Sequence, residues 1–231
     1  MSSPSSARVL IVGGAIMGSW TAWALRQAGF RGSITVIEQD PTYQFSSTAL
    51  SAASIRTQFG TPTNIAMSLY AADLFRDIRA VFGDDAEIGF HEKGYLILGG
   101  HDQVATRVAA AEMQRSFGAD VQVLYPDALR ARFPGIAFDD IGIATFGAQH
   151  EGWFDAWGLL TAVRRGARAL GVEYLHATAT SFTTHGERVT GVVLADGQHL
   201  ACDTCVLAAG PWSGRLVASL GIDLPVVPRK R

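Results

Sequence analysis

The stretch Arg8 to Gly18, RVLIVGGAIMG, constrains the fold of this chain more than any other. Val9 to Val12 is an unbroken apolar run that reads as a strand buried on both faces, and a glycine turn opening a helix follows at once. That is the start of a dinucleotide-binding βαβ unit, because a helix N-terminus offers a pyrophosphate unpaired N–H groups and about half a positive charge. The helix reads from Ala15 to Ala28 with Gly29 as its stop, and the second strand from Ser33 to Glu38. Glu38 ends that strand 25 residues after Gly13, where a carboxylate can accept the hydroxyl protons of an adenosine ribose and repel a 2′-phosphate. The fingerprint positions are Gly13, Ala15 and Gly18, so the middle one carries a methyl where backbone should approach phosphate; Gly14 beside it supplies some freedom.

Beyond this unit, residues 41–60 (PTYQFSSTALSAASIRTQFG) form a loop of small hydroxyl residues, in which Ser46, Ser47, Thr48 and Ser51 offer donors without bulk. Thr61-Pro62 opens a helix to about Phe82. Ile88 to Phe90 and Tyr95 to Leu98 read as strands around Lys93-Gly94, a change of layer. Helices follow at Asp102 to Phe117 and Asp127 to Phe133, and Asp155 caps another that runs to Leu170. Val172 to Leu175 is a strand. Thr178 to Thr184, Arg188 to Leu194 and His199 to Thr204 make a meander turned at His185-Gly186 and Asp196-Gly197. Cys205 to Ala209 is a last buried strand, leading to Gly210-Pro211-Trp212 and a helix from Ser213 to Leu220.

Bulk properties narrow the partners. With 231 residues, 48% of them hydrophobic, the chain can bury a sizeable core, and a net charge of −2 gives no electrostatic reason to expect nucleic acid or an anionic membrane. No apolar run approaches the ~18 residues of a membrane span, and MSSPSS lacks the apolar stretch of a signal peptide, so a cytoplasmic protein is expected. Cys202 and Cys205 have redox-motif spacing but lie at a strand entry with no helix N-terminus to depress a thiol pKa, and they read as ordinary packing. His91-Glu92 and His150-Glu151 are neighbours pointing to opposite faces of a strand, so no metal site is expected. Arg164, Arg165 and Arg168 read as a solvated helix face, Trp153 and Trp157 as core.

The segments GGAIMGS, SSTALSAASIRTQFG, EGWFDAWGLL and CVLAAGPWSG together resemble the D-amino-acid oxidase and sarcosine oxidase family of FAD-dependent amine oxidoreductases, and the resemblance covers nearly the whole chain. It implies an α/β fold: a Rossmann-like FAD-binding domain of the glutathione-reductase type, with a three-stranded β-meander, interrupted by part of an α+β substrate domain. The first would comprise residues 7–85 plus 150–222, the second 86–149 plus 223–231. By that similarity Gly13, Gly14, Ala15 and Gly18 would surround the FAD pyrophosphate, Glu38 would hold the ribose, and Ser46, Ser47 and Thr48 would lie along the cofactor. Ala179 would meet the adenine through its backbone, and Ala209, Gly210 and Trp212 would line the far side. Arg56 would pair with a substrate carboxylate, a bidentate fork fixing its orientation; the other reading of Arg56 is an exposed loop arginine or one paired to an internal acid.

The implied reaction is hydride transfer to flavin from the C–H next to the nitrogen of a secondary or tertiary amine or amino acid, sarcosine- or dimethylglycine-like, with oxygen or an electron-transfer partner as reoxidant. Family members are longer, so the chain is expected to be the first portion of an enzyme, incomplete or completed by a C-terminal polypeptide. A truncated, non-catalytic nucleotide-binding or interaction module is the alternative, and an NAD-dependent dehydrogenase a third reading, disfavoured by the meander and AAGPWS.

Overall fold

The computed structural model describes residues 7–227; the MSSPSS tail and residues 228–231, the end of the expected 223–231 segment, lie outside them. In chain order the strands are β1 (Arg8–Val12), β2 (Ser33–Glu38), β3 (Ser54–Ile55), β4 (Tyr95–Gly99), β5 (Val121–Leu124), β6 (Ile143–Gly147), β7 (Gly152–Trp153), β8 (Glu173–His176), β9 (Ala179–His185), β10 (Arg188–Leu194), β11 (His199–Ala201) and β12 (Thr204–Leu207). The α-helices are α1 (Ile16–Gln27), α2 (Pro62–Arg76), α3 (Ile78–Phe82), α4 (Val104–Ser116), α5 (Pro126–Arg132), α6 (Ala156–Ala169) and α7 (Ser213–Val217). They divide into two compact units, residues 1–51 with 156–231, and residues 52–155.

The first unit is built on a parallel sheet of order β12-β1-β2-β8, in which β1 is interior and buried from Val9 to Val12. Leu10, Val12 and Ile37 pack with Val192, Leu194 and Cys202 of the antiparallel β11-β10-β9 meander. Strand alternation turns Val9 and Ile11 to the other face, and helices α1 and α6 pack against each other. The meander turns where Gly186 and Gly197 adopt φ of 60° and 84°. Cys202 and Cys205 are free thiols, Cys202 inside this core; burial pushes Cys205 up to about 12 and raises Cys202 as well, so both are held as neutral thiols.

Two surface readings are corrected here. Arg164 is half-buried over the ring of Tyr43, 4.3 Å from its centroid, and Arg168 lies over Tyr174 at 4.6 Å, so this arginine face is partly a cation–π layer. Trp157 is 46% exposed, and in the second unit Trp153 is 49% exposed, so neither is core; Trp157 lies against the Tyr43 ring, and Trp153 against His91.

The second unit holds the antiparallel sheet β4-β6-β5 and the β3-β7 ribbon. Strand β6, unpredicted from sequence, is buried at every residue between its two neighbours, which removes the alternation that marks a half-exposed strand. Ile88 to Phe90 is not a strand: Gly89 turns into the left-handed region at φ 51°, and pairing is taken up instead by a bridge from His91 to Trp153. The expected helix to Phe82 is two helices, broken at Asp77 (φ −113°, ψ 35°). The unit boundary also differs from the expected one, falling after residue 51 rather than 85, because Ile65 of α2 packs with Ala111, Ala119 and Val121.

An ion pair in this unit gives a pH expectation. Arg76 donates two hydrogen bonds to the Glu92 carboxylate, at 2.8 and 2.5 Å, and with the His150 N–H these hold the Glu92 carboxyl below its ordinary 4.5. A depressed carboxyl stabilises the fold above its unfolded pKa, and that stabilisation is lost as pH falls through the folded value. Glu92→Gln should therefore flatten the acid limb of stability below about pH 4.5, read as urea midpoints from neutral pH downward, with little change near neutrality beyond the loss of a partly exposed pair.

Candidate cofactor cleft and candidate carboxylate receptor

Val12, Glu38 and Leu207 are the last residues of β1, β2 and β12, Ala177 follows β8, and all four border one cleft of about 900 Å³ in the first unit. Ligands of open α/β sheets bind at this position, outside the carboxyl ends of the strands, and the volume is at the upper end of the ~300–1,000 Å³ typical of small-molecule pockets. Gly13, Ala15, Glu38, Ser46, Ser47, Thr48, Ala179, Ala209, Gly210 and Trp212 all line it. Gly14 and Gly18 stand outside the lining and shape the turn instead.

The turn shows why three of its four small residues are glycines. Gly13 has φ 102°, and a Cβ there would run into the Ala208 carbonyl. A Cβ on Gly14 would lie 2.8 Å from the Tyr43 hydroxyl and 3.2 Å from Glu38 Cβ, and one on Gly18 would overlap the Gly13 carbonyl oxygen. Ala15, the weak point of the fingerprint in sequence, sits at φ −67° and ψ −167°, extended backbone open to any residue. As the N-cap it has no side chain to compete for the helix N–H groups, and Ile16 N–H donates to Thr48 Oγ1 at 3.3 Å. Behind the turn, the Tyr174 hydroxyl donates to Ser19 Oγ at 3.0 Å, and Ser19 donates to the Gly14 carbonyl at 2.6 Å.

Glu38 is already engaged. Its Oε2 accepts from Gly14 N–H at 2.7 Å and its Oε1 from Asp40 N–H at 2.9 Å. A carboxylate has about four lone-pair sites, so each oxygen retains one for a ribose hydroxyl while the backbone bonds fix its direction. Tyr43, which sequence reasoning passed over inside a hydroxyl-rich loop, is 2% exposed, holds φ 56° and lines the cleft. Burial pushes its phenol up to about 12 against the pull of the Arg164 guanidinium, so it stays a neutral donor. Gly210 has φ 53°, and no protein atom comes within 4 Å of a Cβ built there.

Arg56 belongs to the second unit. Its guanidinium lies 5.0 Å from the Phe59 ring centroid and 5.7 Å from that of Tyr95, half-buried, and no ion pair to it occurs among the described residues. That arrangement disfavours the internal-acid alternative and leaves a cation within cation–π distance of two aromatic rings. Close by in sequence, Thr57 and Gln58 bind the fully buried Glu151 carboxylate. Glu151 was visible in sequence only as a neighbour of His150. Among the described residues no three of His, Cys, Asp and Glu gather where a metal could bind, and no helix is long and apolar enough to cross a membrane.

The family model described as FAD dependent oxidoreductase, DAO, matches residues 8–231. The chain belongs to this family. It is 37% identical to FAD-dependent oxidoreductase domain-containing protein 1 of Xenopus laevis, over 99% of this chain and 53% of that protein. It is 31% identical to glycine oxidase of Pseudomonas putida, over 97% of this chain and 61% of the enzyme. The solved structure of L-proline dehydrogenase from P. horikoshii superposes with a TM-score of 0.79 at 23% identity, covering 95% of this chain and 57% of that one, and shares the fold. The chain spans between about half and three-fifths of the length of these relatives.

The cleft suits the cofactor of an FAD-dependent oxidoreductase. Glycine, alanine and serine in its lining let a flat ring or a pyrophosphate approach backbone, and the α1 N-terminus, whose Ile16 N–H is met by Thr48 and whose N-cap Ala15 adds no capping side chain of its own, lies beside it at Gly13 and Ala15.

Proposed function

We propose that this chain carries FAD in the cleft of its first unit and forms part of an enzyme that oxidises the C–N bond of an amine or amino acid. The observation that carries the reading is the glycine turn at the carboxyl ends of four parallel strands, with Glu38 aligned by two backbone N–H groups. Bound flavin supplies the hydride acceptor. The first-turn N–H groups of α1 hold the pyrophosphate, Glu38 accepts the ribose hydroxyls, and the backbone of Ala179 meets the adenine. Arg56 receives the substrate carboxylate as a fork and, being always cationic, fixes its place without taking part in proton transfer. Sarcosine- or dimethylglycine-like substrates, a cytoplasmic location and reoxidation by oxygen or an electron-transfer protein belong to the same reading.

The purified chain should show visible flavin bands, or gain them on adding FAD, and FAD rather than NAD should raise its melting temperature. A chain that stays colourless with excess FAD, or that NAD stabilises instead, would sink the proposal. FAD retention with no amine oxidised would favour a nucleotide-binding module, a reading supported by the 70% and 68% exposure of Met17 and Phe45 on the cleft wall.

A further inference from the structure

We propose that Glu151 is a positioning residue for Arg56, its carboxylate fixing the seat on which the guanidinium lies. The proposal rests on the reading of Arg56 as the carboxylate receptor. Glu151 is 0% exposed, and no cation among the described residues forms an ion pair with it. A buried charge without a counter-ion is costly unless hydrogen bonds take the place of its hydration. Here three donors do so: Thr57 N–H at 2.7 Å and Thr57 Oγ1 at 2.6 Å, both to Oε1, and Gln58 Nε2 at 2.8 Å to Oε2.

The donors belong to the two residues that follow Arg56, so the carboxylate holds the chain on which the guanidinium is mounted. Gln58 Nε2 also donates to the Tyr95 carbonyl at 2.9 Å, which ties in the backbone that carries one of the two rings beside the guanidinium. Both neighbours of Nε2 are acceptors, so the orientation of the amide is forced. The backbone that carries the other ring is tied through Phe59 N–H, which donates to the Thr57 carbonyl at 2.8 Å. Every side of the seat thus leads back to one carboxylate within one or two hydrogen bonds. That carboxylate cannot retreat, since it occupies the space a Cβ on Gly147 would need.

An acceptor-only group is required because everything around it donates. Glutamine would place its own NH2 against N–H or O–H, loosening Thr57 and Gln58 and letting Arg56 swing. Orientation matters because a guanidinium recognises a carboxylate through two parallel bonds, and a tilted fork keeps only one.

The test uses the FAD-loaded chain and calorimetric binding of sarcosine, glycine and L-proline beside their primary amides, which lack the charge. Glu151→Gln should weaken the acids by about tenfold while leaving the amides unchanged, and should cause no further loss in an Arg56→Ala background, because the two act as one unit. Equal loss for acids and amides, full additivity with Arg56→Ala, or no effect would each overturn the proposal. Should Glu151→Gln not fold, Thr57→Val removes a single donor at constant shape. A lowered acid-to-amide preference then supports the proposal, and an unchanged preference overturns it. If Arg56→Ala itself leaves acid binding intact, or the unmodified chain binds none of the acids, the Arg56 reading falls and the proposal with it. Loss on Arg56→Ala with no effect at Glu151 or Thr57 removes the proposal alone.

Discussion

A methyl group on residue 18 is expected to strip the chain of FAD. In Gly18→Ala the new carbon would overlap the Gly13 carbonyl oxygen, which is backbone and cannot rotate aside as a side chain would. Either α1 moves or the Gly13 peptide turns. Both displace the first-turn N–H groups that would hold the pyrophosphate. A hydrogen bond to a charged group contributes about 1.5–3 kcal/mol, so losing one or two weakens FAD by roughly 10- to 1,000-fold or more. Ala15→Gly supplies the contrast: position 15 is already in extended backbone, and FAD affinity should stay within about twofold. Fluorescence titration of the apo-protein with FAD reads both. Overpacking costs about 1–3 kcal/mol in its own right, so the titration belongs well below the variant's melting temperature. Binding of FAD by Gly18→Ala as tightly as by the parent would mean that the cleft is not the cofactor site.

Arg56→Ala is expected to abolish preference for carboxylate ligands while leaving FAD content unchanged. The guanidinium already stacks on Phe59 and Tyr95, so its charge is held in place and has no ion-pair partner among the described residues to give up first. Two charge-assisted bonds at about 1.5–3 kcal/mol each correspond to at least a hundredfold in Kd, measured by calorimetry with sarcosine. Arg56→Lys should recover only part of this, because an ammonium offers a point charge without the planar fork and stacks poorly on the rings. Unchanged sarcosine affinity in Arg56→Ala would return Arg56 to an ordinary loop residue.

The parts legible in the sequence were those written in local chemistry. The glycine turn, the helix after it, Glu38 at a strand end and the Gly186 and Gly197 hairpins depend on neighbours a few residues away, and each was readable without knowing what packed against it. Ala15 shows the limit of a fingerprint: the pattern marks a methyl where backbone should approach phosphate, and it cannot tell that concern from a need for glycine's backbone freedom, which the extended conformation there does not have. Strand β6 was missed because its short run IATFG has neither alternation nor the unbroken apolar stretch that marked β1, the buried Thr145 interrupting it. Trp153 and Trp157 were taken for core because two large rings four apart near a helix start suggest one buried face. Tyr43 and Glu151 were illegible for a further reason. The ring contacts that bury one, with Trp157 and Arg164, and the donors around the other come from residues far away in sequence, 94 positions between Thr57 and Glu151. The boundary after residue 51 escaped notice because the hydroxyl-rich loop runs straight through it.

The pairing of β1 with β12 has a consequence for how the protein comes into being. Val9 lies opposite Thr204, so the interior strand lacks one neighbour until nearly two hundred further residues have been made. Residues 52–155 form one continuous stretch, and sheet β4-β6-β5 has its strands within it, so that unit can close while the ribosome is still at work. The cleft borrows its walls from residues 12–48, 177–180 and 206–216, and the last of these is made only after the other two. Cofactor capture in this cleft therefore waits for β12 and the residues after it. A nascent chain stalled before β12 would carry the whole glycine turn and still offer a dinucleotide only half a site, with the edge of β1 unpaired in the meantime.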